Sequence, residues 1–339
     1  MSGNQNHLRG DGKLPVIHVE AETLSEAVHK TIIACYKKGA RIETPKHKDG
    51  MTLGYDGDII ARINSPLQEP KVHKCGLVED GRGVMQYILE VTHGIHNHWL
   101  KCSEHPEWWG YTYNGRFVNQ IPHVLARIKH DWDDKGRITG RDYQFTTWRA
   151  EEDIVIEQPD PPCLQRGHLR FLQDNKGKWV LNYITDWRSR DLAKAWNENI
   201  IAQIELQRLM ALKVSDMLGI PVEVGCYIDR SSSLHLYGYY FDRDDFEATI
   251  KRMQETPAEE MGLSLDDYFG VPDGYTKEQL KRLIGAQSDY ESKTGNKNAG
   301  RDELVSSGYN LETFPYPSDW DTWPKEWDAE PKPEMLRRK

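Results

Sequence analysis

The sequence predicts an α+β fold. Segments with helical periodicity occur early and late in the first 255 residues, and a group of strand-like segments lies between them. The 339 residues are 38% hydrophobic and 29% charged, a composition typical of globular domains. A chain of this length can bury a substantial core in one large domain or in two ordinary ones.

Three segments in the first 136 residues have the apolar spacing of helices. They are TLSEAVHKTIIACYKKG (23–39), GVMQYILEVTHG (83–94) and IPHVLARIKHDWDDKG (121–136). Thr23 or Ser25 is a suitable cap for the first helix, and Gly39 is a suitable stop. Residues 1–13 are polar and predict an N-terminal tail.

The middle of the chain changes to the alternation of apolar and polar residues that is typical of strands. The segments are YQFTTWR (143–149), GHLRFLQD (167–174), KWVLNYITDW (178–187) and VEVGCYIDRSSSLHLYGYYF (222–241). The intervening DNKGK predicts a hairpin turn between the second strand and the third.

The longest helical pattern covers residues 191–219, and its broad apolar face predicts a central, buried helix. A shorter helix is expected at 244–255, where we place the end of a domain that begins at residue 14. Residues 256–339 are acidic and rich in Trp and Pro. They predict an irregular extension that is either anchored by aromatic side chains or partly disordered.

Several classes of function are disfavoured by composition. No stretch approaches the roughly 20 apolar residues of a membrane span, and the polar N-terminus lacks a secretory signal, so we expect a cytoplasmic protein. A net charge of −9 argues against a non-specific nucleic-acid binder. Five cysteines without a CxxC pair argue against disulfides and structural zinc.

Cys163 in PDPPCLQ is a candidate nucleophile, although a lone cysteine at a strand edge is more often inert packing. A thiol becomes nucleophilic where a nearby cation favours the thiolate. The segment WRSRD supplies Arg188 and Ser189, which could hold a phosphate together with the first N–H groups of the following helix. The alternative is a surface arginine, with Asp191 as a simple helix cap.

Asn199 lies eight residues after Asp191, so both side chains are expected on nearly the same side of a helix. The amide of Asn199 could bind a planar ligand or the backbone. His235 and Tyr237 share one face of a predicted strand, and Glu90 lies in an apolar helix, either exposed or buried with a raised pKa.

A metal site is a further alternative, since HGIHNHW contains three histidines (93, 96 and 98). No cysteine or carboxylate completes a convincing ligand set, so we expect solvated loop histidines and no metal.

Taken in chain order, PPCL, RSRD with an Asn eight residues after its Asp, and HLY resemble motifs of the thymidylate synthase superfamily, especially its archaeal-type members. YILEVTHG, YTYNGRF and GRDYQFTTW are similar to the segments that carry its active-site glutamate, tyrosine and cross-dimer arginine. The resemblance covers residues 23 to about 250. It implies a mixed β-sheet packed by helices and a homodimer formed sheet to sheet.

The resemblance also implies a reaction. Cys163 would add to C6 of a pyrimidine nucleoside 5'-monophosphate, and C5 would then attack the methylene carbon of 5,10-methylenetetrahydrofolate. The implied catalytic residues are Cys163, Glu90, Tyr113 and Asp191, with Glu90 relaying protons, Tyr113 assisting removal of the C5 proton and Asp191 near the pterin. The implied substrate-binding residues are Arg188 and Ser189 on the phosphate, Asn199 on the base, His235 and Tyr237 on the ribose, and Arg141 from the second subunit.

Two products remain open, because hydride would give a methyl group and water a hydroxymethyl group. Leu164 and Trp187 stand where many members have His and Gln, and an acidic extension stands where bacterial-type members have a short apolar C-terminus that excludes water. Asn199 favours dUMP over dCMP. The alternatives are a hydroxymethylase acting on dUMP, dCMP or CMP, and a non-catalytic nucleotide-binding protein.

Overall fold

The computed structural model describes residues 12–45, 51–75, 81–94, 96–97, 100, 109–158, 160–243, 245–265 and 320. Within these ranges it confirms the predicted α+β class, with helices packed on a six-stranded mixed sheet. No helix in the described ranges is long and apolar enough to cross a membrane.

The strands are β1 (Val16–Ala21), β2 (Ala40–Pro45), β3 (Met51–Asp56), β4 (Asp58–Ile63), β5 (Val72–His73), β6 (Gln144–Thr146), β7 (Leu164–Gln173), β8 (Trp179–Trp187), β9 (Arg190–Asp191), β10 (Val222–Ser231), β11 (Leu234–His235) and β12 (Gly262–Leu263). The helices are α1 (Leu24–Lys38), α2 (Gly81–His93), α3 (Tyr113–Phe117), α4 (Ile121–Lys135), α5 (Ala150–Asp153), α6 (Ala195–Leu218), α7 (Gly238–Arg243) and α8 (Phe246–Glu255). The predicted hairpin joins β7 to β8.

The main sheet has the strand order β1-β4-β10-β8-β7-β6. The pairs β1–β4 and β10–β8 are parallel, and the other neighbouring strands are antiparallel. Along β8, fully buried residues such as Leu181 and Tyr183 alternate with half-buried ones such as Asn182. One face of the sheet therefore belongs to the core, and the other is only partly covered.

Helix α6 is the central buried helix that the sequence predicts. Its polar side chains are satisfied by the sheet: the Tyr183 hydroxyl donates to Gln203 Oε1 (2.8 Å), and Gln207 Nε2 donates to the Leu181 carbonyl (2.8 Å). These bonds allow amide groups to be buried in a helix packed on all sides.

The start of α6 differs from the prediction, which had the helix begin at residue 191. The helix begins at Ala195, because Asp191 pairs with His235 in the short β9–β11 ladder and its Oδ1 accepts from the Ala193 N–H (3.0 Å). The sequence predicts that the first N–H groups of this helix follow Arg188 closely. In the structure α6 begins seven residues after Arg188.

The predicted strand 222–241 is also shorter in the structure. It ends at Ser231, and α7 begins at Gly238 because the chain there turns against β3. A side chain at Gly238 would lie 2.7 Å from the Leu53 backbone, and the Gly238 N–H donates to Thr44 Oγ1 (3.0 Å). Tertiary packing thus overrides the strand preference of the aromatic residues.

The chain continues along the sheet domain after residue 255. Residues Ala258–Met261 form a 3₁₀ helix, and β12 pairs with β5. Trp320, in the acidic extension, is 1% exposed and belongs to the hydrophobic core. Nearly all of the predicted tail and most of the extension lie outside the described residues, so the boundaries at 13 and 255 remain predictions.

Gly167→Ala is expected to destabilise the fold by about 1–3 kcal/mol, as overpacking of a core does. A Cβ at Gly167 would lie 2.5 Å from the Tyr183 hydroxyl and would collide with the Phe145 ring. Urea denaturation would measure the loss. Gly110→Ala is the matched control, because its close neighbour is the flexible end of Gln158, and an equal loss there would contradict the packing argument.

Candidate functional site

Cys163 lies immediately before β7, at the edge of the main sheet, and carries a free, half-buried thiol. Its carbonyl accepts from the Arg188 N–H (2.8 Å), which joins it to the end of β8. A bulge between Leu164 and Arg166 leaves Gln165 without a partner on β8, and the Gln165 side-chain amide donates to the carbonyl of Pro162 (3.1 Å). The backbone on both sides of the thiol is thus fixed.

Arg188 holds the turn that presents this thiol. Its Nε donates to the Pro162 carbonyl (3.1 Å) and its Nη2 to the Pro161 carbonyl (2.5 Å), and neither bond uses Nη1. Burial raises the pKa of the Cys163 thiol, while the charges of Arg188 and Arg190 oppose that rise. Ser189 follows in the half-buried turn between β8 and β9.

Two tyrosines, Tyr111 and Tyr113, interact electrostatically with the thiol. The rings of Tyr111 and Tyr113 are 5.5 Å apart, and the Tyr113 ring meets Trp187 edge to face at 5.6 Å. Burial raises the pKa of both hydroxyls well above the ordinary tyrosine value, and Cys163 contributes to both shifts. Both hydroxyls are therefore neutral near pH 7. The charge of Cys163 acts on Tyr113, and the role of Tyr113 in proton removal stays a prediction.

Asn199 is bound by the side chain of Tyr87, a partner that was not predicted from the sequence. Its Nδ2 donates to the Tyr87 hydroxyl (2.9 Å), and Tyr87 lies on α2, three residues before Glu90. Burial raises the pKa of Tyr87 well above its ordinary value, so this hydroxyl is a neutral partner. The side chain of Asn199 is half-buried and retains further hydrogen-bonding capacity.

Glu90 is neither fully exposed nor fully buried. Its side chain is 13% exposed, and its Oε2 lies 2.8 Å from Nδ1 of the buried His96. The charge of Glu90 acts on the Tyr87 hydroxyl, which links this carboxylate to Asn199. His98 lies outside the described residues. Among those described, no group of three or more His, Cys, Asp or Glu side chains could hold a metal ion.

The residues that we expect to bind the ribose, His235 and Tyr237, and the pterin, Asp191, lie in or next to the β9–β11 ladder. Asp191 pairs with His235 in register, and the His235 and Tyr237 rings meet edge to face at 4.6 Å. Asp191 also accepts a hydrogen bond from the Tyr240 hydroxyl. Burial raises the pKa of Asp191, and burial lowers the pKa of His235. The charge of Asp191 acts on Tyr237, as does that of Cys163.

Arg141 is the predicted residue that this chain does not bring to its own thiol. It is exposed, and its backbone accepts a hydrogen bond from the ring of His168. His168 is five residues along β7 from Cys163, or about 16 Å at the rise of a strand. Around Arg141 lies an open polar cavity, lined also by Arg127, Asp131, Lys135, Arg137 and Asp142.

Three residues of this site were not predicted from the sequence: Tyr87, Tyr111 and Arg190. Tyr87 could have been found, since it lies one helical turn before Glu90 and so shares its face of α2. Tyr111 precedes Tyr113 by two residues in an extended stretch. For Arg190 the sequence offers no comparable signal, because its partners come from β10.

No protein-family model and no curated protein matches this chain. Among solved structures, the chain is similar to the thermostable thymidylate synthase A from Bacillus subtilis. The two share 15% sequence identity with a TM-score of 0.46, and the match covers 73% of this chain and 96% of the other. The similarity is therefore distant.

Proposed function

We propose that this protein transfers a one-carbon unit to C5 of a pyrimidine nucleoside 5'-monophosphate, with dUMP as the preferred substrate. The observation that supports this is the convergence on one thiol of residues from distant motifs. The charge of Arg188 acts on the Cys163 thiol, and the charge of Cys163 acts on Tyr113 and Tyr237. Tyr87, which is bonded to Asn199, also interacts with Tyr113. A structural cysteine has no need of such partners.

In the proposed reaction, the Cys163 thiolate forms a bond to C6 of the pyrimidine, and the displaced electron pair makes C5 nucleophilic. Asn199 donates to O4 and accepts from N3–H, which keeps the ring in place and stabilises charge on O4. Glu90 relays protons to this end of the ring. Arg188 and Ser189 hold the phosphate.

His235 and Tyr237 hold the ribose in this proposal, and their edge-to-face contact fixes both rings. Attack of C5 on the methylene carbon would form the C5–CH2 bond, and Tyr113 would then assist removal of the C5 proton as tetrahydrofolate leaves that carbon. Addition of hydride or water to the resulting exocyclic methylene would restore the ring double bond as Cys163 leaves C6. Removal of this proton is common to both possible products. The proposed products therefore differ only in whether hydride or water completes the reaction.

The cofactor in this proposal is 5,10-methylenetetrahydrofolate, which supplies the one-carbon unit when bound. Asp191 fits a pterin N–H donor. Its Oδ1 accepts from the N–H groups of Ala193 (3.0 Å) and Lys194 (3.3 Å), and its Oδ2 accepts from Tyr240. A carboxylate offers about four acceptor positions, so one remains on Oδ2.

We extend the proposal to a homodimer in which a second copy supplies Arg141 to the phosphate. Two observations support it: Arg141 lies far from the thiol of its own chain, and the sheet face opposite α6 is only partly covered. On that face Leu172 is 55% exposed and Ile184 is half-buried. A symmetric pairing of this face would bury both residues.

The proposed function is tested by incubating the protein with C5-tritiated dUMP and methylenetetrahydrofolate. We expect tritium release, accompanied by the absorbance of dihydrofolate if methylation occurs and without it if hydroxymethylation occurs. The dCMP and CMP substrates run in parallel identify the preferred base and sugar. A folded protein that releases tritium from none of the three substrates would rule out both enzyme functions and leave the nucleotide-binding alternative.

A further inference from the structure

Arg190 is the residue of the RSRD segment that the proposed reaction does not use. It is 4% exposed, far more buried than an arginine usually is. Its backbone N–H donates to the Ser233 carbonyl (2.8 Å), so the β9–β11 ladder fixes its position. A cation buried to this degree requires an explanation in terms of its partners.

Arg190 lies beneath the Trp187 ring, close to the strand end that pairs with the segment of Cys163. Its guanidinium carbon lies 3.9 Å from the centre of the Trp187 ring, and Trp187 pairs in register with Leu164, the residue after Cys163. The charges that act most on Cys163 are those of Arg188, Asp160 and Arg190. Stacking on an aromatic face holds a guanidinium without consuming its N–H donors.

The carboxylate that balances Arg190 is shared with several other donors. Asp229 Oδ1 accepts from Arg190 Nη2, from Ser231 Oγ (2.9 Å) and from Trp196 Nε1 (3.1 Å), while Oδ2 accepts from the Tyr227 hydroxyl (3.3 Å). The Asp229–Arg190 ion pair therefore uses one guanidinium nitrogen. Nε and Nη1 of Arg190 are buried and find no acceptor among the residues that the structure describes.

We infer that Arg190 is a positioning residue that stabilises the negative charge of the Cys163 thiolate from beneath the Trp187 ring. The inference rests on the proposed function, in which that thiolate attacks the pyrimidine. It also explains why the motif contains two arginines. A bound phosphate dianion would pair with Arg188, whereas Arg190 is buried and already paired with Asp229, so binding of the phosphate would leave its interaction with the thiolate unchanged.

The test is the pH dependence of iodoacetamide alkylation at Cys163, followed by peptide mass spectrometry in the full-length protein without nucleotide. Only the thiolate reacts, so the rate reports its population. Arg190→Met is expected to raise the midpoint pH by about one unit, which lowers the rate near neutral pH about tenfold. Arg190→Lys keeps the charge and should restore a midpoint near that of the unmodified protein.

Two controls distinguish the loss of the Arg190 charge from a general perturbation of the fold. Arg208→Met removes another largely buried arginine, 18% exposed and paired with Glu205 on α6 at 2.6 Å, and should leave the Cys163 midpoint unchanged. Cys226, half-buried on β10, is titrated in the same samples and should not shift. An unchanged midpoint in folded Arg190→Met, or equal shifts in Arg208→Met, would overturn the inference.

If Arg190→Met fails to fold, Asp229→Asn provides a measurement of opposite sign. Removing the balancing carboxylate should strengthen the field of Arg190 and lower the Cys163 midpoint, and a midpoint that stays or rises would overturn the inference. Failure of the proposed function is distinguishable, because it would appear as an absence of tritium release while the midpoint still depended on Arg190.

Discussion

Replacing Cys163 by serine is expected to abolish release of the C5 proton from dUMP, with a loss of more than about 10³-fold in rate. The hydroxyl has nearly the shape of the thiol, so the turn held by Arg188 and Gln165 is retained. Its pKa is far too high for the nearby cations to produce the alkoxide. The measurement is tritium release, combined with calorimetric titration of dUMP to show that the nucleotide still binds.

The control for this substitution is Cys226→Ser. Cys226 is also half-buried, but its Sγ contacts the Asn182 side chain (3.1 Å) in the middle of β8. Asn182 is not among the residues that we propose to bind the phosphate or the base. Its replacement should leave turnover unchanged. If the Cys163 variant retained turnover, the covalent mechanism would be rejected.

Replacing Asn199 by aspartate is expected to reverse the base preference from dUMP toward dCMP. Uracil presents a donor at N3 and an acceptor at O4, whereas cytosine presents an acceptor at N3 and an amino donor at C4. A carboxylate accepts only, so it would bind the amino group and repel O4. The Tyr87 hydroxyl can donate to the new carboxylate, which preserves the orientation of the side chain.

The ratio of kcat/KM values for dUMP and dCMP is expected to change by about a hundredfold or more. Asparagine leaves a polar group unpaired with cytosine and aspartate leaves one unpaired with uracil, and each such group costs about 1–3 kcal/mol. Asn197→Asp is the matched control. The Asn197 amide binds the Lys71 carbonyl (2.9 Å) and the His73 N–H (3.3 Å), so its replacement should not alter the ratio. An unchanged ratio in the Asn199 variant would show that Asn199 does not contact the base.

Much of the fold followed from periodicity, because the long elements have amphipathic patterns that tertiary packing does not contradict. Helix α1 begins after Thr23, whose side chain accepts from the Glu26 N–H (3.3 Å), as a cap is expected to do. The short strands β5, β9, β11 and β12 carry no such pattern. Each consists of two residues and exists only because a distant segment lies beside it.

The residues of the candidate site were predictable to the extent that they lie in short motifs. The prediction that Asp191 and Asn199 share one side of a helix is wrong for Asp191, which lies in β9, before α6 begins at Ala195. Arg190 could not be predicted, because its role depends on Asp229, which is thirty-nine residues away along the chain and adjacent only after β10 joins the sheet. Long-range contacts of this kind leave no local signal.

The central claim is that Cys163 adds to C6 of a pyrimidine nucleotide. The most direct measurement is peptide mass spectrometry after incubation with 5-fluoro-dUMP and methylenetetrahydrofolate, since fluorine replaces the C5 proton that must leave and so arrests the reaction. We predict a mass increase equal to nucleotide plus methylene-folate on the peptide that contains Cys163. A folded protein without that adduct, or with one on another residue, would contradict the proposed mechanism.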